Sequence, residues 1–159
     1  MFAQERRRET HHTKSKADLG VAKTVADLIG KGVIPCIPLS EHQPYDLVAV
    51  LTNGKSVRVQ VKYATLKNGA IEVNFRTSWA DRNGTHIKHY AVNEFDYYAI
   101  YCPEKDEVIY IPNSLNCPKV IRFEKTRNNQ GRNVKWANDY RDIRESSETI
   151  RHTPETVKT

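Results

Sequence analysis

Apolar and polar positions alternate strictly from Ser56 to Tyr63. Val57, Val59 and Val61 fall on one face of an extended chain, and Ser56, Arg58, Gln60 and Lys62 on the other. The run is rich in β-branched residues and lacks Pro and Gly, so it predicts a strand. Asn53-Gly54 just before it is a hairpin-turn signal, and Tyr45–Leu51 is a second apolar run. The two runs fold back antiparallel. Asp46 then lies near the level of Gln60 and Lys62, which sit roughly 6–7 Å apart along their strand.

The rest of the pattern surrounds this hairpin with one helix and several strands. Ala17, Val21, Val25 and Leu28 form a helical stripe, widened by Leu19, Ala22, Ala26 and Ile29, that predicts a helix over 17–31. Ser15 is its candidate cap, and Gly30 and Gly32 mark its end. Val33–Leu39 reads as a short strand, confined by two prolines to an edge or to irregular form. A third strand is expected over 70–76, entered through the turn Lys67-Asn68-Gly69, with Ile71, Val73 and Phe75 on one face. Residues 77–95 read as a polar loop, with a short helix possible near 91–95. Strands 97–102 and 107–111 follow, apolar enough for a core or for a surface between subunits. A basic strand over 119–124, a basic loop over 125–135 and a short helix over 139–148 complete the order. The fold class is α+β, with one main N-terminal helix packed on a mixed, largely antiparallel sheet.

Asp46, Gln60 and Lys62 put polar groups where a core is expected. A hard divalent cation takes oxygen ligands, one or two from the protein and the rest from water and phosphate. Asp46 can supply a charged oxygen, Gln60 an amide oxygen and Val61 its carbonyl. Lys62 can orient a water or offset charge on a phosphate in transition. The layout is that of a metal-dependent phosphodiesterase. A Gln and a Lys on one strand face also describe the wet side of an ordinary antiparallel sheet.

Composition bounds these readings. The chain has 159 residues, 38% of them hydrophobic and 28% charged, which suits one domain with polar extensions. No apolar run approaches the ~20 residues of a membrane span. Residues 1–16 show no signal-peptide core, so a cytoplasmic location is expected. Cys36, Cys102 and Cys117 are odd in number and far apart, as reduced thiols are. The formal charge is +6, and its excess sits at the ends. Residues 1–16 carry five Lys/Arg against two acids, residues 113–159 ten against six, and the stretch between them ten against eleven. Such arms suit a phosphate backbone, though polar tails have the same composition.

Lys16–Lys31, Pro44–Val48 and Val59–Val73 resemble the small PD-(D/E)XK endonucleases that include group I intron-encoded homing enzymes. Asn93–Asp96 and the 97–111 hairpin are also similar to that family. The resemblance covers about residues 14–112. It implies a restriction-endonuclease-like core and Mg2+-dependent cleavage of double-stranded DNA, with Mn2+ as a substitute ion. Asp46, Gln60 and Lys62 would be catalytic, and Asp46, Gln60 and the Val61 carbonyl would hold the metal. Two positions depart from the pattern. Gln60 stands for the second acid, and Val21 follows Gly20 where many relatives carry Glu. Asp18 is the helix carboxylate that can substitute, or an exposed residue favouring the helix dipole.

The implied division is a basic flexible arm over 1–15, the nuclease core over 16–112, a basic extension over 113–150 and a disordered tail over 151–159. Arg58 shares the face of Gln60 and Lys62 and can touch the DNA backbone, or instead pair with Glu72. Asn74, Arg76, Arg82 and Lys88 sit where a groove-reading element can form. Arg122, Lys125, Arg127, Arg132 and Lys135 are candidate phosphate contacts. Cutting two strands takes two active sites, so a homodimer or homotetramer is expected. A junction-resolving nuclease and a catalytically impaired DNA-binding relative remain as alternatives.

Overall fold

The structure is a computed structural model that describes residues 12–125 and 133–143. Residues 1–11 of the arm expected over 1–15, Arg127, Arg132 and the tail lie outside the described residues, whereas 12–15 open the first helix. Helix α1 spans His12–Gly30. It begins earlier than its apolar stripe because no Pro or Gly interrupts Thr13–Lys16, so Ser15 lies inside the helix. It ends where Gly32 takes φ +70° and the Gly32 and Val33 amides cap the carbonyls of Ile29 and Leu28.

Strands β1 (Ile34–Cys36), β2 (Leu47–Val50) and β3 (Ser56–Tyr63) follow, with Gly54 at φ +79° in the β2–β3 turn. The short strands β4 (Leu66–Lys67) and β5 (Ala70–Glu72) join through Asn68 and Gly69, both at positive φ. Then come β6 (Arg76–Asp81), β7 (Gly84–His89), β8 (Tyr97–Cys102), β9 (Glu107–Pro112) and β10 (Val120–Arg122). A 3-10 turn occupies Ala137–Tyr140 and overlaps only the start of the helix expected over 139–148, of which 144–148 lie outside the described residues.

The main sheet has the order β1-β2-β3-β8-β9. Its pairs are antiparallel except β3–β8, which is parallel and makes the sheet mixed. The expected third strand is broken. Ala70–Glu72 pairs with β4 and β10 in a second sheet, while Arg76 opens β6. Between them Phe75 turns inward, its ring 4.6 Å from that of Tyr98. Residues 77–95 are no plain loop, since β6 and β7 form a two-stranded ribbon closed at Asp81–Gly84. The 91–95 segment is a turn, in which the Glu94 amide donates to the Ala91 carbonyl.

The two sheet faces bury separate clusters. Leu28 of α1 meets Leu47, Val59, Val61, Tyr97, Ala99 and Tyr101 on one side. Tyr98, Ile100 and Cys102 meet Ile71, Phe95 and Ile121 on the other. Every residue of β8 is thus buried, as is most of β9, so these strands are core. The helix lies close against β3. A Cβ placed on Gly20 would come within 3.3 Å of Val61 Cγ1, so the smallest residue sets this approach. No helix among the described residues is long and apolar enough to cross a membrane.

Candidate active site

Strand β2 pairs with β3 as far as Leu47 against Val59, and Asp46 stands just beyond that last pair. The Asp46 amide donates to the Val59 carbonyl at 2.9 Å, so Asp46 and Leu47 both stand against Val59 and the regular pairing ends there. Gln60 and Lys62, two apart on β3, leave the same side of the sheet, and Asp46 reaches them through its carboxylate. Asp46 Oδ2 accepts from the Val61 amide at 2.7 Å and from Gln60 Nε2 at 2.6 Å. Gln60 Nε2 also donates to the Val61 carbonyl at 3.2 Å. The amide nitrogen thus sits between two oxygens of the kind a cation would take.

These groups line a cleft of about 420 Å³ with Lys16, Ala17, Val21, Tyr63 and Tyr90. Gln60 is only 9% exposed. Burial raises the Asp46 carboxyl above its ordinary range, opposed by the Val61 amide and the Lys62 ammonium. Burial likewise lowers Lys62, opposed by Asp46. Desolvation dominates at both groups, as expected of a close pair withdrawn from water. The Lys62 ammonium donates to the Arg76 carbonyl at 3.4 Å and lies 5.0 Å from the centre of the Tyr90 ring.

The helix side of the cleft holds Lys16, Ala17 and Val21, while Asp18 is exposed and is not among the lining residues. Among the described residues no three His, Cys, Asp or Glu converge. The oxygens that do converge are those of the Asp46 carboxylate and the Val61 backbone carbonyl, with the Gln60 amide nitrogen between them. This donor set suits a hard cation that keeps most of its water and takes further oxygens from phosphate. Gln60 can join it once its amide turns to present Oε1.

The expected DNA contacts fall in several places. Arg58 is held by Asp96, through Nε at 3.2 Å and Nη2 at 3.3 Å, rather than by Glu72. Asn74 and Arg76 line a neighbouring groove of about 640 Å³, which shares Tyr63 with the cleft and also holds Lys67, His89 and Lys119. Arg82 is at the exposed tip of the ribbon, and Lys88 on β7 pairs with Glu94 at 2.5 Å. Arg122 donates to the Asn68 carbonyl, and Lys125 and Lys135 are exposed. Sequence reasoning passed over Lys16 and Tyr90, both in the cleft wall. The helical stripe offered a signal for Lys16, one turn before Gly20. Tyr90 gave none, because its placement depends on the ribbon's return.

Comparison with known proteins agrees with this geometry. No curated protein sequence matches. A solved structure, that of the bacterial homing endonuclease I-Ssp6803I, superposes with a TM-score of 0.66 at 23% identity, over 89% of this chain and 98% of that one. At that identity the likeness concerns the fold. Residues 11–143 match the family described as PD-(D/E)XK endonuclease, most of the chain including the whole cleft, and the protein therefore belongs to the PD-(D/E)XK endonuclease family.

Proposed function

We propose that this endonuclease is Mg2+-dependent, with Mn2+ as a substitute, and cuts double-stranded DNA at a recognised sequence in the manner of a homing enzyme. The observation that carries the reading is the hydrogen bond between Gln60 and Asp46 beside Lys62 in one half-buried cleft. Asp46, the Val61 carbonyl and Gln60 Oε1 would hold the ion. When bound, the ion would polarise the phosphoryl group and acidify a water. Lys62, on the same face, donates toward the phosphate or the attacking water and offsets charge developing on the phosphoryl oxygens. Asp46 holds the Val61 amide and so fixes the strand bearing the other two groups. Lys16 and Lys62 both line the cleft, which therefore attracts a phosphate despite Asp46. The groove past Tyr63 continues this track for the DNA backbone, and the ribbon has the form that enters a major groove. Cutting both strands calls for a homo-oligomer with one cleft on each strand.

The test is cleavage of supercoiled plasmid carrying candidate sites, with Mg2+ or with chelator, beside Asp46→Ala and Lys62→Ala. Wild type should cut only with the ion, and each variant should lose roughly 10²–10³-fold or more, the scale of removing an electrostatic catalyst. Equal behaviour of all three proteins overturns the reading. Cutting of four-way junctions regardless of sequence would replace it with a junction-resolving role.

A further inference from the structure

We infer that Tyr90 is a positioning residue for Lys62, holding the ammonium over its ring and thereby tying the lysine to the root of the β6–β7 ribbon. This rests on the proposed role of Lys62 at the phosphate. Lys62 rises from a central strand, but what steadies its tip comes from elsewhere. Its Nζ is 5.0 Å from the Tyr90 ring centre and 3.4 Å from the Arg76 carbonyl. Arg76 is the first residue of β6 and Tyr90 follows the last residue of β7, and Arg76 pairs with His89 across the ribbon. Both holds therefore lie at the place where the ribbon leaves the body.

The ring is itself fixed. It packs edge-on against Phe95 at 5.1 Å and against Tyr98 at 6.3 Å, and both of those residues are buried in the core. A cation over a ring face gains more as water is removed, and Lys62 is partly withdrawn from water. A long lysine side chain otherwise samples many rotamers, and its placement within a fraction of an ångström governs its usefulness in catalysis. Lys88 pairs with Glu94, and Glu94 also accepts from the Ala91 amide, which pins the same junction from its outer side. DNA seated on the ribbon would thus act on the two groups that hold the lysine.

The test uses the full chain with Tyr90→Phe and Tyr90→Leu, each also in a Lys62→Ala background. Tyr90→Phe keeps the ring and should stay within about twofold of wild type in single-turnover cleavage. Tyr90→Leu should slow cleavage about tenfold with DNA affinity changed less than about twofold, and should cost nothing further once Lys62 is absent. A second readout needs no cleavage. In spectra of lysine-labelled protein, the ε-methylene protons of Lys62, assigned by their loss in Lys62→Ala, should be shifted upfield by the ring, kept so in Tyr90→Phe and released in Tyr90→Leu. An unshifted Lys62 in wild type overturns the inference whether or not the protein cuts DNA. A protein that shows the shift yet never cuts overturns the nuclease mechanism instead. Equal loss from Tyr90→Leu with and without Lys62 would mark Tyr90 as a packing residue only.

Discussion

Strand β8 and the β6–β7 ribbon are both runs of six-residue strands, yet they live in opposite surroundings. All six residues of β8 are buried between β3 and β9, whereas β7 is exposed at five of its six positions. β8 has two strand partners, and β6 and β7 have only each other among the described strands. The contrast separates two tasks. The buried sheet holds Gln60 and Lys62 in fixed register beside Asp46, the fixed placement that the proposed catalysis would need. The ribbon carries polar groups into solvent, and its tip is held by Asp81, which accepts from the Asn83 amide and meets His86.

The largest expected effect that would break this contrast is in the sheet. Leu47 is fully buried beside the Asp46 position, so Leu47→Ala should cost about 3 kcal/mol in urea unfolding. A loss as small as that of an exposed site would mean that the sheet does not anchor the cleft.

Somewhat smaller is an alkaline effect confined to the sheet. Burial, first of all, raises both Tyr98 on β8 and Tyr110 on β9 well above the ordinary tyrosine value, and Tyr110 also donates to Asp27 at 2.5 Å. Their folded-state values are raised, so the stability they contribute is complete below about pH 10. It is lost as the pH climbs toward those raised values, because the unfolded chain sheds protons that the folded chain keeps. The slope should be about 1.4 kcal/mol per pH unit for each tyrosine, read from unfolding at stepped pH. Phenolate absorbance of these two rings should then appear only with unfolding. Their ionisation in the folded protein near pH 10 would contradict the burial.

The smallest effect belongs to the ribbon. Arg82→Ala at its tip should leave thermal stability unchanged and lower the slope of DNA affinity against salt by about one charge. An unaltered slope would remove the ribbon tip from the DNA surface.

How much of this was legible along the chain follows the same divide. The β2–β3 hairpin was readable because alternation sets the faces and Asn53-Gly54 sets the turn, and together they bring Asp46 near the level of Gln60. The edge character of β1 followed from its prolines. The parallel β3–β8 pairing was not readable, since its partners are joined by a long crossover with no local signature. That pairing also decides the fate of Arg58. Val59 lies beside Tyr97, which brings Asp96 to Arg58 in place of Glu72. The ribbon was hidden for a different reason. Its sequence has no alternation of hydrophobicity, β7 being exposed on both faces, and only Asn83-Gly84 hinted at a hairpin. The break after Glu72 was masked by a run whose alternation continues to Phe75, although its hydrogen bonds pass to Lys119. On the helix, periodicity found the buried stripe but not which exposed residue flanks the cleft, and the structure turns Lys16 and Val21 there rather than Asp18.

The Gln60 amide has a consequence for the idle enzyme. Because it already spans the Asp46 carboxylate and the Val61 carbonyl, the cleft is internally balanced at rest. Among the described residues no buried side-chain nitrogen or oxygen lacks a partner. On the proposed metal role, an arriving ion would have to exchange two existing hydrogen bonds for coordination, so casual occupancy would gain little. The latch would open only when a phosphate arrived to complete the ion's shell, and a chelator that silenced the enzyme would leave its fold intact.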